Sequence, residues 1–305
     1  MALTSGSRDE YHDCERSHKA AKGRIVTPYG GEERGGNVPR RSVFELQQIA
    51  ARVRLDAIQM VLIQGFGYLG QALSSAEIFT ALFAGGFLRE GWDRFVISPG
   101  HYVIGLYAAA AQVGRIPREA LASYGKDGAA LEAIGGERTP VVDMVCGSLG
   151  QGLSVGVGYA LAAGLADQDR SAFAFLSDGE LQEGQIWEAA MFAAHNRDRM
   201  GRLIAVIDAN NSQVDGPVTS VTTLEPLADK WRAFGWRVAE VDGHDLEALC
   251  GAFESGVDGS PLVVIARTEI TGGLKAVPPT IHGHFMKLDA GLARAMTEEL
   301  EASLV

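Results

Sequence analysis

"AFAFLSDGELQEGQIWEAAMFAAHN", residues 172 to 196, and "LIAVIDANN", residues 203 to 211, decide the reading of this chain. Each begins as an apolar run of strand length and turns polar at its end, and a segment of helical length separates the two runs. A strand, a helix and a second strand make a crossover unit, so the two strands are expected to lie parallel with their carboxyl ends on one edge. Asp178 and Gly179 then end the first strand, and Asn210 and Asn211 end the second. In open sheets of this kind, ligands bind along that edge.

The same rhythm extends outward. "FVIS" (95–98), "WRVAEV" (236–241) and "PLVVIAR" (261–267) alternate with helix-length segments. The expected fold class is therefore α/β: a mainly parallel sheet with helices on both faces. "SVFELQQIAARVRLDAIQMVLI" (42–63) has helical periodicity, with Ser42 placed as its N-cap. Residues 1–41 are rich in charge, Gly and Ser, so a disordered arm, or one lying on a partner, is expected there. Residues 42–305 are expected to form one domain, since neither an internal repeat nor a linker interrupts them.

Composition excludes several classes. A chain of 305 residues can bury a sizeable core without staples. Its formal charge of −11 argues against nucleic acid as the main partner. No apolar run reaches membrane-span length and the polar N-terminus lacks a signal-peptide core, so a cytoplasmic protein without a membrane partner is expected. Three cysteines, without ligand spacing, read as reduced thiols.

An acid at the ligand-binding edge beside a glycine poses a chemical question. Gly179 lets a phosphate approach the backbone N–H groups, yet Asp178 would repel it. A magnesium ion between them resolves the conflict, because it takes oxygen ligands from one or two protein groups and from phosphates. Asn210 offers an amide oxygen and Ser212 a backbone carbonyl at the neighbouring strand end.

The pair "SDG…IDANN" resembles the signature of thiamin-diphosphate enzymes, with Ser177 where a glycine is usual. "SPGHYVIGLYAAAAQVG" (98–114), "VVDMVCGSLGQGLSVGVGYALA" (141–162) and "IHGHF" (281–285) resemble segments of the transketolase family. The resemblance covers roughly residues 42 to 290. It implies the diphosphate-binding domain of that family, with thiamin diphosphate and Mg2+ as cofactors. Carried over, it implies that Asp178, Asn210 and the Ser212 carbonyl bind the cation. Gly147, Leu149, Gly179 and Glu180 would contact the cofactor. His101 and His282 would face the diphosphate and the reacting carbon, and Glu183 would link cofactor sites across a subunit interface. Imidazole suits donor and proton-carrying roles near neutral pH.

Two departures qualify the match. In "GFGYLGQALS" (65–74) Tyr68 stands where the family has a substrate histidine, and "LEAIGGERTP" (131–140) lacks a histidine expected there. A phenol can hydrogen-bond a sugar hydroxyl but does not replace imidazole as a proton carrier. The chain also ends where full-length transketolases continue into a pyrimidine-binding domain with an activating glutamate. The resemblance thus implies a split transketolase, active with a C-terminal subunit in a heterotetramer, moving a two-carbon ketol unit from a ketose phosphate. The alternatives are a hybrid delivering an acyl unit to a lipoyl or thiol group of a carrier protein, and a regulatory subunit without catalysis of its own. Another reading is a dinucleotide fold built on Gly150, Gly152 and Gly156, but it leaves "IDANN" unexplained.

Overall fold

The computed structural model describes residues 41–256 and 260–304, and the expected polar arm lies outside them apart from Arg41. Six strands form one sheet: β1 (Arg94–Ile97), β2 (Met144–Val145), β3 (Ser171–Ser177), β4 (Arg202–Ala209), β7 (Arg237–Asp242) and β8 (Leu262–Arg267). Their order is β2-β1-β3-β4-β8-β7, and every neighbouring pair is parallel. A small antiparallel hairpin, β5 (Ser212–Gln213) with β6 (Gly216–Pro217), follows β4. The five strand runs read from the sequence are all present, and β2, inside the "VVDMVCG" segment, is an addition.

Strand alternation explains the layers. On β3, Phe173 and Phe175 belong to one core, while Ala172, Ala174 and Leu176 belong to the other. β4 divides likewise, with Ile204 and Val206 on one face and Leu203, Ala205 and Ile207 on the other. A strand buried on both faces must be apolar throughout, which is why these runs show no polar alternation. The first core is closed by α1 (Val43–Gln64), α2 (Leu69–Ser74), α3 (Ala76–Ala84), α4 (Val103–Gln112), α9 (Leu246–Glu254) and α10 (Ala290–Glu301). The second is closed by α5 (Gly152–Leu165), α6 (Gly184–His195), the single turn α7 (Val218–Val221) and α8 (Leu227–Ala233). Among the described residues, no helix is long and apolar enough to cross a membrane.

Helix α1 starts as its sequence demands. Ser42 accepts from the Glu45 N–H at 3.3 Å, and Glu45 accepts in return from the Ser42 N–H at 2.8 Å, a complete capping box. Ser42→Ala is expected to lower stability by about 1 kcal/mol. Urea unfolding of the full chain measures it.

The strand order also locates the active edge. From β1 the chain moves outward to β2, and from β3 it moves the other way to β4. The crevice between β1 and β3 is therefore the switch point, where an open α/β sheet accepts a ligand. Gly152 is required here: a Cβ on it would lie 2.4 Å from the Ser98 Cβ, so only glycine lets α5 start against the end of β1. Close packing thus accounts for this glycine without a dinucleotide.

Candidate functional site

Asp178 and Asn210 meet at this edge because Ser177 and Asp208 are paired in register. Asp178 is buried, and its two carboxylate oxygens accept from the Gly179 N–H at 2.8 Å and the Asn211 N–H at 2.5 Å. Asn211 adopts positive φ, +56°, which turns the chain so that its N–H reaches back to Asp178. The Asn210 amide oxygen accepts from the Ser212 N–H at 2.9 Å. Strand register and one left-handed residue therefore bring Asp178, Asn210 and Ser212 to one place.

The electrostatics there favour a cation. Burial, and then the neighbouring Asp208, push the Asp178 carboxyl up to about 7. Asp208 is fully buried and is raised as well, chiefly by burial. Two buried carboxyl groups in mutual repulsion are relieved by a divalent ion. No group of three or more His, Cys, Asp or Glu side chains is poised for a metal among the described residues. The oxygen donors near this edge are the Asp178 carboxylate, the Asn210 amide oxygen and the Ser212 carbonyl, which also accepts from the His284 ring. Hard oxygen donors, few in number, fit magnesium completed by phosphate oxygens.

Glu180 lies deeper than Asp178. It is fully buried, and its carboxylate accepts from the Ser98 hydroxyl at 2.7 Å, the Gly150 N–H at 3.1 Å and the Ser177 N–H at 3.1 Å. Its side chain thus ties together the ends of β1 and β3 and the start of α5, the three segments that border the crevice. Burial pushes this carboxyl up to about 7. Gly147 and Leu149 are exposed near that junction, and a Cβ on Gly147 would meet nothing within 4 Å. Glu183 is exposed and precedes the first residue of α6.

A ring cluster forms a second part of the site. Tyr68 and His101 have ring centroids 5.2 Å apart, and His284 lies 5.3 Å from His101 and 5.7 Å from Tyr68. His284, which the motif did not single out, is buried in this cluster, while His282, the histidine the motif aligns with the cofactor, is exposed with its ring 6.4 Å from that of His284. The cause is a set of backbone anchors. Gly67 and Met286 exchange both hydrogen bonds, at 3.0 and 2.8 Å, and the Gly70 N–H donates to the Gly283 carbonyl at 3.1 Å. These bonds pin residues 283–286 against the start of α2, and His282 precedes them. Gly70 allows this approach, since a Cβ there would sit 2.2 Å from the Gly283 oxygen. Buried Gln71 then bonds His284 Nδ1 at 2.7 Å; with the amide turned, Oε1 accepts from Nδ1–H and the nitrogen donates to the His284 carbonyl at 2.7 Å.

His101 differs electrically from the ordinary imidazole that the motif suggested. Burial, and then His284, push it down to about 3. At neutral pH it is therefore a neutral imidazole, not a cation. Its ring signals in a proton NMR titration of the full chain are expected to stay constant from pH 5 to 8. A midpoint near the ordinary histidine value would contradict the burial. His284 is lowered too, chiefly by burial.

Sequence reading did not find Gln71, His284, Ser98 or Asp208. The only available signals were a second histidine two residues beyond His282 and an acid ending the apolar run of β4.

The same residues are matched by comparison with known proteins. Residues 46–300 match the family model described as "Transketolase, thiamine diphosphate binding domain". A 6-deoxy-6-sulfo-D-fructose transketolase subunit of Clostridium sp. is 38% identical over 85% of this chain and 97% of its own length. One subunit of an apulose-4-phosphate transketolase from Phocaeicola vulgatus is 37% identical over 70% of this chain and 76% of its own. Among solved structures, transketolase from Campylobacter jejuni superposes with a TM-score of 0.76 at 26% identity, covering 86% of this chain. This chain spans only 43% of that longer enzyme. Its sheet, its switch-point site and these matches agree: the chain belongs to the transketolase family and carries that family's thiamine diphosphate-binding domain.

Proposed function

We propose that this chain is the diphosphate- and Mg2+-binding subunit of a split transketolase, which with a partner subunit transfers a two-carbon ketol unit from a ketose phosphate. The observation that carries the reading is the junction of Asp178 and Asn210 through the Asn211 N–H. It supports a hard-oxygen cation site beside Gly179, at the carboxyl end of β3. Relatives named as transketolase subunits, similar to this chain over most of their own length, support the split arrangement.

When bound, thiamin diphosphate supplies the electron sink that ketol transfer requires. The chain's own residues do the rest of the work assigned to it. Asp178, Asn210 and the Ser212 carbonyl hold the cation, and the Gly179 backbone meets the diphosphate. Gly147 and Leu149 line the cleft. Glu180 acts beneath it as a clamp on the bordering segments, and exposed Glu183 is available to an adjoining subunit. His101, as a neutral imidazole, donates or accepts a hydrogen bond without adding charge. His284 and Tyr68 face the same cluster as hydrogen-bonding groups for the substrate.

The ring cluster also favours a sugar acceptor over a lipoyl or thiol carrier. The carrier reading arose from the absent family histidines, and His284 brings an imidazole beside Tyr68. The full chain, combined with its partner subunit, thiamin diphosphate and Mg2+, is expected to transfer the two-carbon unit from xylulose phosphate to one of a panel of aldoses. Transfer to a lipoyl protein alone would establish the carrier reading, and no transfer despite cofactor binding would favour a regulatory subunit.

A further inference from the structure

Asp208 is fully buried and is held from three directions. The Ser74 hydroxyl of α2 donates to its Oδ2 at 2.6 Å, the Thr268 hydroxyl just beyond β8 donates to its Oδ1, and the Asn210 amide nitrogen donates to Oδ2 at 2.9 Å. The same amide nitrogen reaches the Tyr102 hydroxyl at 3.0 Å and the Ser74 oxygen at 3.3 Å. Every one of these groups lies on the nitrogen side of the amide. The amide oxygen instead accepts from the Ser212 N–H, on the side of the cation site.

An amide can present either end to a neighbour, and hydroxyl groups accept both, because they donate and accept. Ser74 and Tyr102 would not by themselves choose between the two orientations of Asn210; they favour its nitrogen only because Asp208 takes their protons. The Asp208 carboxylate does choose, because an ionised carboxylate only accepts. We propose that Asp208 is a positioning residue for the cation site: it binds the nitrogen of Asn210, and so keeps the amide oxygen available as a ligand. The inference rests on the reading of Asp178, Asn210 and Ser212 as that site.

Asp208→Asn removes the constraint while keeping the size of the side chain. The new amide can donate to the Asn210 oxygen, turning it away from the cation. Outer partners of this kind are worth about ten- to a hundredfold in metal affinity.

The test is calorimetric titration of thiamin diphosphate into the full chain with its partner subunit, over a series of Mg2+ concentrations. Thermal melting is recorded without cofactor or cation. The D208N variant is expected to need about ten- to a hundredfold more Mg2+ for half-maximal cofactor binding, with its cofactor-free melting temperature unchanged or raised. A purely structural role would lower that melting temperature and leave the Mg2+ requirement alone, which would overturn the inference. If D208N fails to fold, NMR of the wild-type chain decides: the Asn210 side-chain NH2 is expected to be held in one orientation and protected from hydrogen exchange, and a freely rotating, rapidly exchanging amide overturns the proposal. A wild-type complex that binds the cofactor without any cation dependence overturns the site reading itself, and Asp208 then has no ligand to position.

Discussion

Asp178→Ala is expected to weaken Mg2+-dependent binding of thiamin diphosphate by more than a factor of about a hundred, the upper figure for losing an outer partner of a metal ligand. Asp178 carries the charged donor of the proposed set, and Asn210 and Ser212 contribute neutral oxygens. Without the carboxylate, nothing in that set offsets the repulsion between the diphosphate and buried Asp208. The cofactor-free protein responds differently. The Asp208 charge raises Asp178 and the repulsion is mutual, so removing one acid relieves the other, and melting without cofactor is expected to hold or rise. Calorimetry and thermal melting on one preparation separate the two effects. Unchanged cofactor affinity in the variant would refute the metal assignment.

His282→Ala is expected to lower kcat/KM for ketol transfer by about a hundredfold, the lower end for a positioned proton-transfer group, while His284→Ala lowers it by about tenfold, the scale of one lost substrate hydrogen bond. The contrast follows from role. The motif aligns His282 with a histidine that faces the reacting carbon, whereas His284 is buried beside His101 and Tyr68 and is fixed by Gln71. Steady-state kinetics of both variants, with cofactor affinity measured alongside, test the contrast. Unchanged activity in the His282 variant would refute the assignment made from the motif. Equal, small losses would leave the ring cluster without a part in transfer.

Much of this protein was legible in its residues because the signals were local. The central strands β3, β4 and β8 announced themselves as apolar runs, for burial on both faces demands it, while edge strand β7 mixes Val238, Ala239 and Val241 with charged residues. Asp178 and Asn210 could be placed together before any coordinates, since parallel strands joined by one helix end on the same edge. Ser42 was recognisable as a cap because a cap acts within one turn.

The short strand β2 was hidden by its length, as two residues carry no periodicity. His284 was hidden for another reason. Its partner Gln71 is 213 residues away, and the placing of residues 283–286 depends on backbone bonds from Gly67 and Gly70. Asp208 shows the same limit, since Ser74 reaches it across 134 residues. By itself, then, the sequence determined the parallel α/β sheet, the family and the edge where a cofactor would sit, all of them consequences of local pattern and strand direction. Only the tertiary structure decided that His284 is buried beside Tyr68 and His101, which carboxyl clamps the crevice and which one bonds the Asn210 nitrogen. Those choices are made by contacts between segments far apart in the chain, and no local pattern encodes a long-range contact.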